Sequence, residues 1–189
     1  MRIAYKINLA AVALICALSV SASADSKTQD KQNSIREMAQ DTLNRLYAAN
    51  PDTKAVLAKA AGYAVFSDLG VKILFAGTGN GQGIAVNNKT KAETFMKMLQ
   101  LQGGLGMGVK KFRVVFIFDT QSALDSFINS GWQFGGDATA AAKTSTSGGA
   151  MAGATSVSEG VWMYELTDEG IAAEISVGGT KYYKDDSLN

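Results

Sequence analysis

The chain has 189 residues, with 18 Lys+Arg against 17 Asp+Glu, a formal charge of +1, no His, one Cys, one Pro and 20 Gly. A nearly neutral balance without a long basic run excludes a nucleic-acid binder that works by neutralising phosphates. The lack of His removes catalytic triads, His-rich zinc sites and His-ligated haem, and 47% apolar residues is the composition of a globular domain.

The N-terminus reads as an export signal. Arg2 and Lys6 give a positive start, an apolar stretch runs from Ile7 to Val20, and Ala22-Ser23-Ala24 offers the small residues of a cleavage site. Residues 1–24 are therefore expected to be a signal peptide removed before Asp25, which places the protein in the bacterial periplasm. The alternative, a membrane anchor, needs about 20 apolar residues, more than this stretch supplies. Cys16 suggests a lipoprotein, but Ile15 stands where a lipobox wants a small residue. With Cys16 gone, the exported domain has no disulfide and rests on its own core.

Asp25 to Asn33 is polar and aperiodic, and is expected to be a flexible lead-in. Ser34 and Glu37 match a capping box, and Ile35, Met38, Ala39, Leu43, Leu46 and Tyr47 recur at helical intervals. Asn50-Pro51 ends that helix and starts another, with Asn50 as cap and Gly62 as terminator, so 34–61 is expected to be a helical hairpin. From Tyr63 the period changes to two. Tyr63–Phe66, Val71–Ala76, Gly83–Val86, Glu93–Leu101, Leu105–Val109, Phe112–Phe118, Val161–Leu166 and Ile171–Val177 are the expected strands. Phe112–Phe118 is apolar on both faces after its first residues, as in a central, doubly covered strand. Asp119 or Thr120 can cap a short helix in which Ala123, Leu124, Phe127 and Ile128 share a face and which Gly131 closes. Lys143–Ser158, rich in Gly, Ser, Thr and Ala, reads as a loop or a weakly packed strand pair, and Thr167-Asp168-Glu169-Gly170 as a tight turn. The fold class is α+β: a strongly curved, mostly antiparallel sheet or barrel-like core over 58–189, with the helical hairpin and one short packed helix.

Gly77, Gly79, Gly81 and Gly83 are spaced by two, and Gly104, Gly106 and Gly108 repeat the spacing. The first series does not fit the dinucleotide fingerprint, which lands on Gln82 from Gly77 and on Ile84 from Gly79, and no Gly-Lys-Ser/Thr of a phosphate loop occurs. In strands, such glycines leave one face bare and let the sheet bend or a neighbour approach. The competing reading, a ligand cradle, is the weaker.

Catalytic constellations are missing: no G-x-S-x-G elbow, no S-x-x-K pair, no nucleophilic Cys with a base. Among the carboxylates Asp137, Glu159, Glu165, Asp168, Glu169 and Glu174, Glu165 and Glu174 read as solvent-facing, and Asp185-Asp186 as a solvated tail without calcium-ligand spacing. Lys110, Lys111 and Arg113 cluster at the start of the apolar strand, and Lys181-Tyr182-Tyr183-Lys184 interleaves rings with charge. Such a set can hold an anionic phospholipid headgroup. The simpler reading is strand-end lysines that blunt sheet edges beside a packed Tyr pair.

Ala58-Lys59 with Gly62-Tyr63-Ala64-Val65-Phe66, then Val71-Lys72 and the glycines to Gly83, resembles the opening of the SYLF lipid-binding domain family. Gly104-x-Gly106, the apolar strand to Phe118, Ala123-Leu124-Asp125-x-Phe127 and Trp132-x-x-Gly135-x-Asp137-Ala138 are similar to its middle section, and Gly179-Thr180-Lys181-Tyr182-Tyr183-Lys184 ending in Leu188-Asn189 to the C-terminus of its secreted bacterial members. The resemblance implies a compact domain of strands and packed helices that binds phospholipids, phosphoinositides among them in eukaryotic members, while fungal members also bind actin. Ser67 replaces the family's usual Pro, and the partner modules of eukaryotic relatives are missing. An exported chain would not meet cytoplasmic actin. The expectation is thus an exported, non-enzymatic domain binding anionic phospholipid or a membrane surface at the envelope, with Lys72, Lys110, Lys111 and Arg113 as the headgroup cations. The alternative is a structural or protein-binding module with an envelope protein as partner. No cofactor, metal or nucleic acid is expected.

Overall fold

The computed structural model describes the backbone of residues 9–73, 76–103, 108–134, 151–168, 170–171 and 179–189, and within it the side chains of 25–67, 80–99, 113–133, 151–168, 170–171 and 179–189. The elements run α1 (Leu9–Ala49), α2 (Thr53–Lys59), β1 (Gly62–Ile73), β2 (Ala76–Asn87), β3 (Glu93–Gly103), β4 (Gly108–Phe118), α3 (Gln121–Ser130), β5 (Trp132–Phe134), β6 (Thr155–Ser158), β7 (Val161–Thr167), β8 (Gly170–Ile171) and β9 (Thr180–Lys184). The strands form one curled antiparallel half-barrel sheet of order β5-β9-β3-β2-β1-β4-β7-β6, with β8 on β7. The α+β architecture with a strongly curved sheet is therefore what the chain adopts.

Alternation along each strand sends side chains to two separate cores. One face holds Phe66, Met96, Val114, Phe116, Met163 and Tyr182, closed off by Leu124 and Phe127 of α3. Aromatic rings dominate it, with Phe66 and Tyr182 centroids 4.8 Å apart and Phe116 and Phe127 5.3 Å apart. α3 reaches that core by its apolar stripe. Thr120 is its cap, accepting from the Ala123 amide, while Asp119 accepts from Trp162 Nε1. The other face is covered by α1, whose Ile35, Ala39, Leu43 and Leu46 fall on one helical stripe against Val65, Ile84, Phe95, Val115, Ile117 and Tyr164. A central strand apolar on both sides, as β4 is, follows from these two covers.

Several elements differ from the sequence reading. Residues 25–33 are helical and not a flexible lead-in, since no Gly or Pro interrupts α1 there and Gln32 Nε2 donates to the Leu188 carbonyl at 2.8 Å. Ser34 consequently lies inside α1 and does not cap it. Residues 34–61 hold the end of α1 and all of α2, but Asn50 donates to the Ala152 carbonyl instead of capping, and Asn88 Nδ2 takes the carbonyls of Leu57 and Ala60 at the end of α2. Tyr63–Phe66 and the start of Val71–Ala76 are one strand, β1, because Ser67 to Gly70 continue the pairing with both neighbours. Residues 105–107 and 172–177, within the expected strands Leu105–Val109 and Ile171–Val177, lie outside the described residues, as do 104, 178 and 135–150. Thr155–Ser158 forms the edge strand β6.

Glu165 and Asp185 are buried and not solvent-facing, both at 5% exposure or less. Glu165 shares the face of Val161 and Met163 on β7. Asp185 begins a C-terminal latch: its amide donates to the Phe95 carbonyl, Asn189 Nδ2 donates to the carbonyls of Phe95 and Asp185, and Leu188 enters the core beneath α1. Asp185 Oδ1 accepts from Lys97 Nζ at 2.8 Å and from the Ser187 amide and hydroxyl. Burial on its own would raise this carboxyl, but the hydrogen bonds from Lys97 and Ser187 outweigh it and hold it below the usual carboxylate range.

Gly77, Gly79, Gly81 and Gly83 all lie in β2, and Gly108 opens β4; Gly104 and Gly106 are outside the described residues. Gly83 pairs with Phe66, and a Cβ there would overlap the Phe66 ring and the Val65 carbonyl. The missing side chain lets the strand and its neighbour's ring meet.

Gly83→Ala should therefore lower the melting temperature by roughly 6–12 °C, from an overpacking cost of about 3 kcal/mol at a site where backbone cannot yield; thermal unfolding followed by circular dichroism checks it. For Asp185, whose carboxyl is depressed in the folded state, the stabilisation exists above the unfolded value of about 3.9 and is lost as pH falls through the lower folded value. The stability gap between wild type and Asp185→Asn in urea titrations should be widest near neutrality and close below about pH 4.

Candidate functional site

The α1-covered face is built of rows that run across the strands. In register, Phe95, Ile84, Val65, Val115 and Tyr164 form one row and all are buried. Two residues further along each strand the row reads Tyr183, Lys97, Gln82, Ser67, Arg113 and Leu166. The first row is apolar throughout and packs on α1. The second is mostly polar and cannot be covered by an apolar helix face without loss of hydration.

Between this polar row and the part of α1 from Lys31 to Met38 lies a groove of about 600 Å³. Ser67, Asn80, Gln82, Lys97 and Tyr183 form its sheet side, with Ser34, Ile35 and Met38 on the helix side and Lys31 and Asp185 at one end. Gly81, also lining it, could not take a side chain: a Cβ would meet Met98 at 2.7 Å and the Ser67 carbonyl at 2.8 Å. Lys97 is fixed by its bond to Asp185, which together with that carboxylate's charge raises its pKa against a smaller opposing effect of burial. Lys31 Nζ stands 4.0 Å from Asp185 Oδ2 and its side chain is 47% exposed. Tyr183 is the large exposed ring at the mouth, with the Lys181 ammonium 5.8 Å from its centroid.

At the other end of the polar row Arg113 is engaged. Its Nη1 donates to Asp41 Oδ2 at 2.6 Å and to the Thr42 hydroxyl at 3.0 Å, which ties β4 to α1. The Arg113 hydrogen bond holds Asp41 below the usual carboxylate range, with charge from Arg113 and Arg45 adding to it. Arg36 makes a parallel tie at 2.8 Å to Glu93, over the Phe95 ring. Burial raises the phenols of Tyr47, Tyr63 and Tyr164, which remain neutral.

The four cations expected at a headgroup site do not form one set in register. Arg113 occupies the polar row, and Lys111 the next row out, which runs through Leu69, Asn80 and Leu99. Lys72 and Lys110 occupy positions in phase with Phe66 and Val114, the alternate set of each strand. The side chains of Lys72, Lys110 and Lys111 lie outside the described residues. Lys31, Lys97 and Asp185 were not singled out by sequence reasoning: Lys31 sits in a stretch read as flexible, Lys97 in an ordinary strand, and Asp185 in a tail. A signal was available in the alternation of β3, where Lys97 follows Phe95 on the same face. Among the described residues no group of three or more potential metal ligands occurs, and no helix is long and apolar enough to cross a membrane. Of the carboxylates considered for acid–base work, Glu159 borders a second cavity of about 350 Å³ beside α3, Asp168 is exposed in the β7–β8 turn, and Asp137, Glu169 and Glu174 are outside the described residues.

Residues 99–189 match the family described as Las17-binding protein actin regulator, Ysc84. Beta cell expansion factor A of Aeromonas veronii is 30% identical over 160 residues, which is 82% of this chain and 57% of that protein. The chain thus spans less than two thirds of the curated relative it matches. With the Gly62-Tyr63-Ala64-Val65-Phe66 segment at the head of β1 and the Lys181-Tyr182-Tyr183-Lys184 strand beside the groove, these matches make the chain similar to the SYLF, or Ysc84, family.

Proposed function

We propose that this chain is an exported, non-enzymatic domain that binds anionic phospholipid at the cell envelope, with the groove under α1 receiving the headgroup. The observation that carries this reading is the convergence of two ammonium groups, Lys31 and Lys97, with hydroxyl and amide donors on a groove whose helix side also presents the apolar Ile35 and Met38. Phosphate oxygens suit the first set, and the glycerol and acyl part of a lipid suits Ile35, Met38 and the Tyr183 ring. The groove's described groups suit recognition, and among them no nucleophile is held by a base. The likeness to that family points the same way at a coarser level, to a domain of lipid-binding or actin-binding type. Export is inferred from Arg2, Lys6, the apolar stretch to Val20 and Ala22-Ser23-Ala24.

Co-sedimentation of the purified protein with neutral and anionic vesicles across a salt series tests the reading. Binding to anionic vesicles that weakens as salt rises is expected, and Lys31→Gln should reduce it about fivefold at low salt. No binding to either vesicle would overturn it in favour of a protein-binding envelope module. For export, mass spectrometry of the protein recovered from a bacterial periplasm should find its first residue at Asp25; an intact N-terminus would reject cleavage there.

A further inference from the structure

We infer that the groove selects phosphodiesters that carry a hydrogen-bond donor on the adjoining alcohol group, such as a glycerol hydroxyl or an ethanolamine ammonium, and that Asp185 Oδ2 is the acceptor that reads it. The inference rests on the phospholipid reading above and specifies its headgroup.

Two features of Asp185 lead there. Its side chain is 1% exposed yet lines the groove, and its two oxygens are treated differently by the fold. Oδ1 is saturated by Lys97 Nζ at 2.8 Å and by the Ser187 amide and hydroxyl. Oδ2 is buried and receives no hydrogen bond from the described residues; Lys31 Nζ, 4.0 Å away, is beyond hydrogen-bonding distance. A buried ionised oxygen without a donor is costly, and a fold that merely needed a latch would be served by the bonds to Oδ1. Oδ2 is therefore poised for a donor that comes from outside.

Charge specifies the remainder of the ligand. Lys31 and Lys97 with Asp185 leave the end of the groove one positive charge in excess, which matches the single negative charge of a phosphodiester. Lys31 is on the exposed face of α1 and free to swing to a phosphate oxygen, which uncovers Oδ2 for the neighbouring hydroxyl or ammonium. A choline or methyl ester in that place brings no donor and leaves Oδ2 unsatisfied.

The test uses vesicles in pairs matched for charge and differing in the donor: phosphatidylglycerol against phosphatidylmethanol, and phosphatidylethanolamine against phosphatidylcholine, each at equal mole fraction. The purified protein should bind the donor-bearing member of a pair about tenfold more tightly, the effect of one hydrogen bond to a charged group. Preference in the first pair identifies the hydroxyl as the source, in the second the ammonium. Equal binding within both pairs overturns the inference while leaving phospholipid binding intact, whereas no binding to any vesicle removes both. Asp185→Asn should shrink the preference below about threefold, a neutral acceptor replacing a charged one. Should that variant fail to fold, Lys31→Gln decides: it should weaken both members of a pair by the same factor, and unchanged binding would overturn the role given to Lys31.

Discussion

The structure depends on the enclosure of one aromatic cluster. Phe66, Phe116, Phe127 and Tyr182 come from β1, β4, α3 and β9, with ring centroids 4.8 to 6.2 Å apart. A flat sheet could not gather rings from β9 and β4, which are separated by β3, β2 and β1. The sheet has to curl, and β2 supplies the means, since Gly83 gives its place on that face to the Phe66 ring. Curling then obliges the second face to be covered separately, for its own apolar rows cannot fold back on themselves. α1 is that cover, and its placement is the origin of the groove.

A straight helix laid across a twisted sheet matches it over a limited length. α1 is bonded to the sheet at both borders of the apolar rows, by Arg36 to Glu93 and by Arg113 to Asp41 and Thr42. Where the rows turn polar at Lys97, Gln82 and Ser67, helix and sheet are held together by the C-terminal latch, through Gln32 to the Leu188 carbonyl and Lys97 to Asp185. The groove is thus framed by ionic and hydrogen-bonded struts, which hold an opening that apolar packing would have closed. The polarity of its walls and its persistence as an opening have one cause.

Elements whose local and tertiary preferences agree were legible in the sequence. β4 is apolar at every position from Val114 to Phe118, α3 has both its cap and its terminating Gly131, and Gly81 and Gly83 of β2 fall where a neighbour approaches. What was not legible depends on partners distant in sequence. Asp185 looks like a tail residue until Phe95 and Lys97 are placed beside it, and Lys31 belongs to a polar stretch that becomes helical beside the C-terminus. Ser67 to Gly70 has the composition of a turn, but pairing on both sides with β2 and β4 keeps it extended. Glu165 sits in an alternating strand at a position that the curl of the sheet turns inward. In each case the determining contact is non-local, and a one-dimensional pattern carries no record of it.

The family match over residues 99–189 does not correspond to a separable structural unit. That segment contributes β4, β6 and β7 at one side of the sheet and β5 and β9 at the other, and the strands that stand between the two groups in the sheet are β1, β2 and β3, of which only the end of β3 belongs to it. Its aromatic residues Phe116, Phe127 and Tyr182 close around Phe66, which lies outside the segment. The groove is divided in the same way, with Tyr183 and Asp185 from the matched part and Lys31, Ser67, Gln82 and Lys97 from the residues before it. The groove therefore needs α1 and β1 to β3 as well as the matched segment, which by itself would hold the Asp185 carboxylate without Lys31 and Lys97.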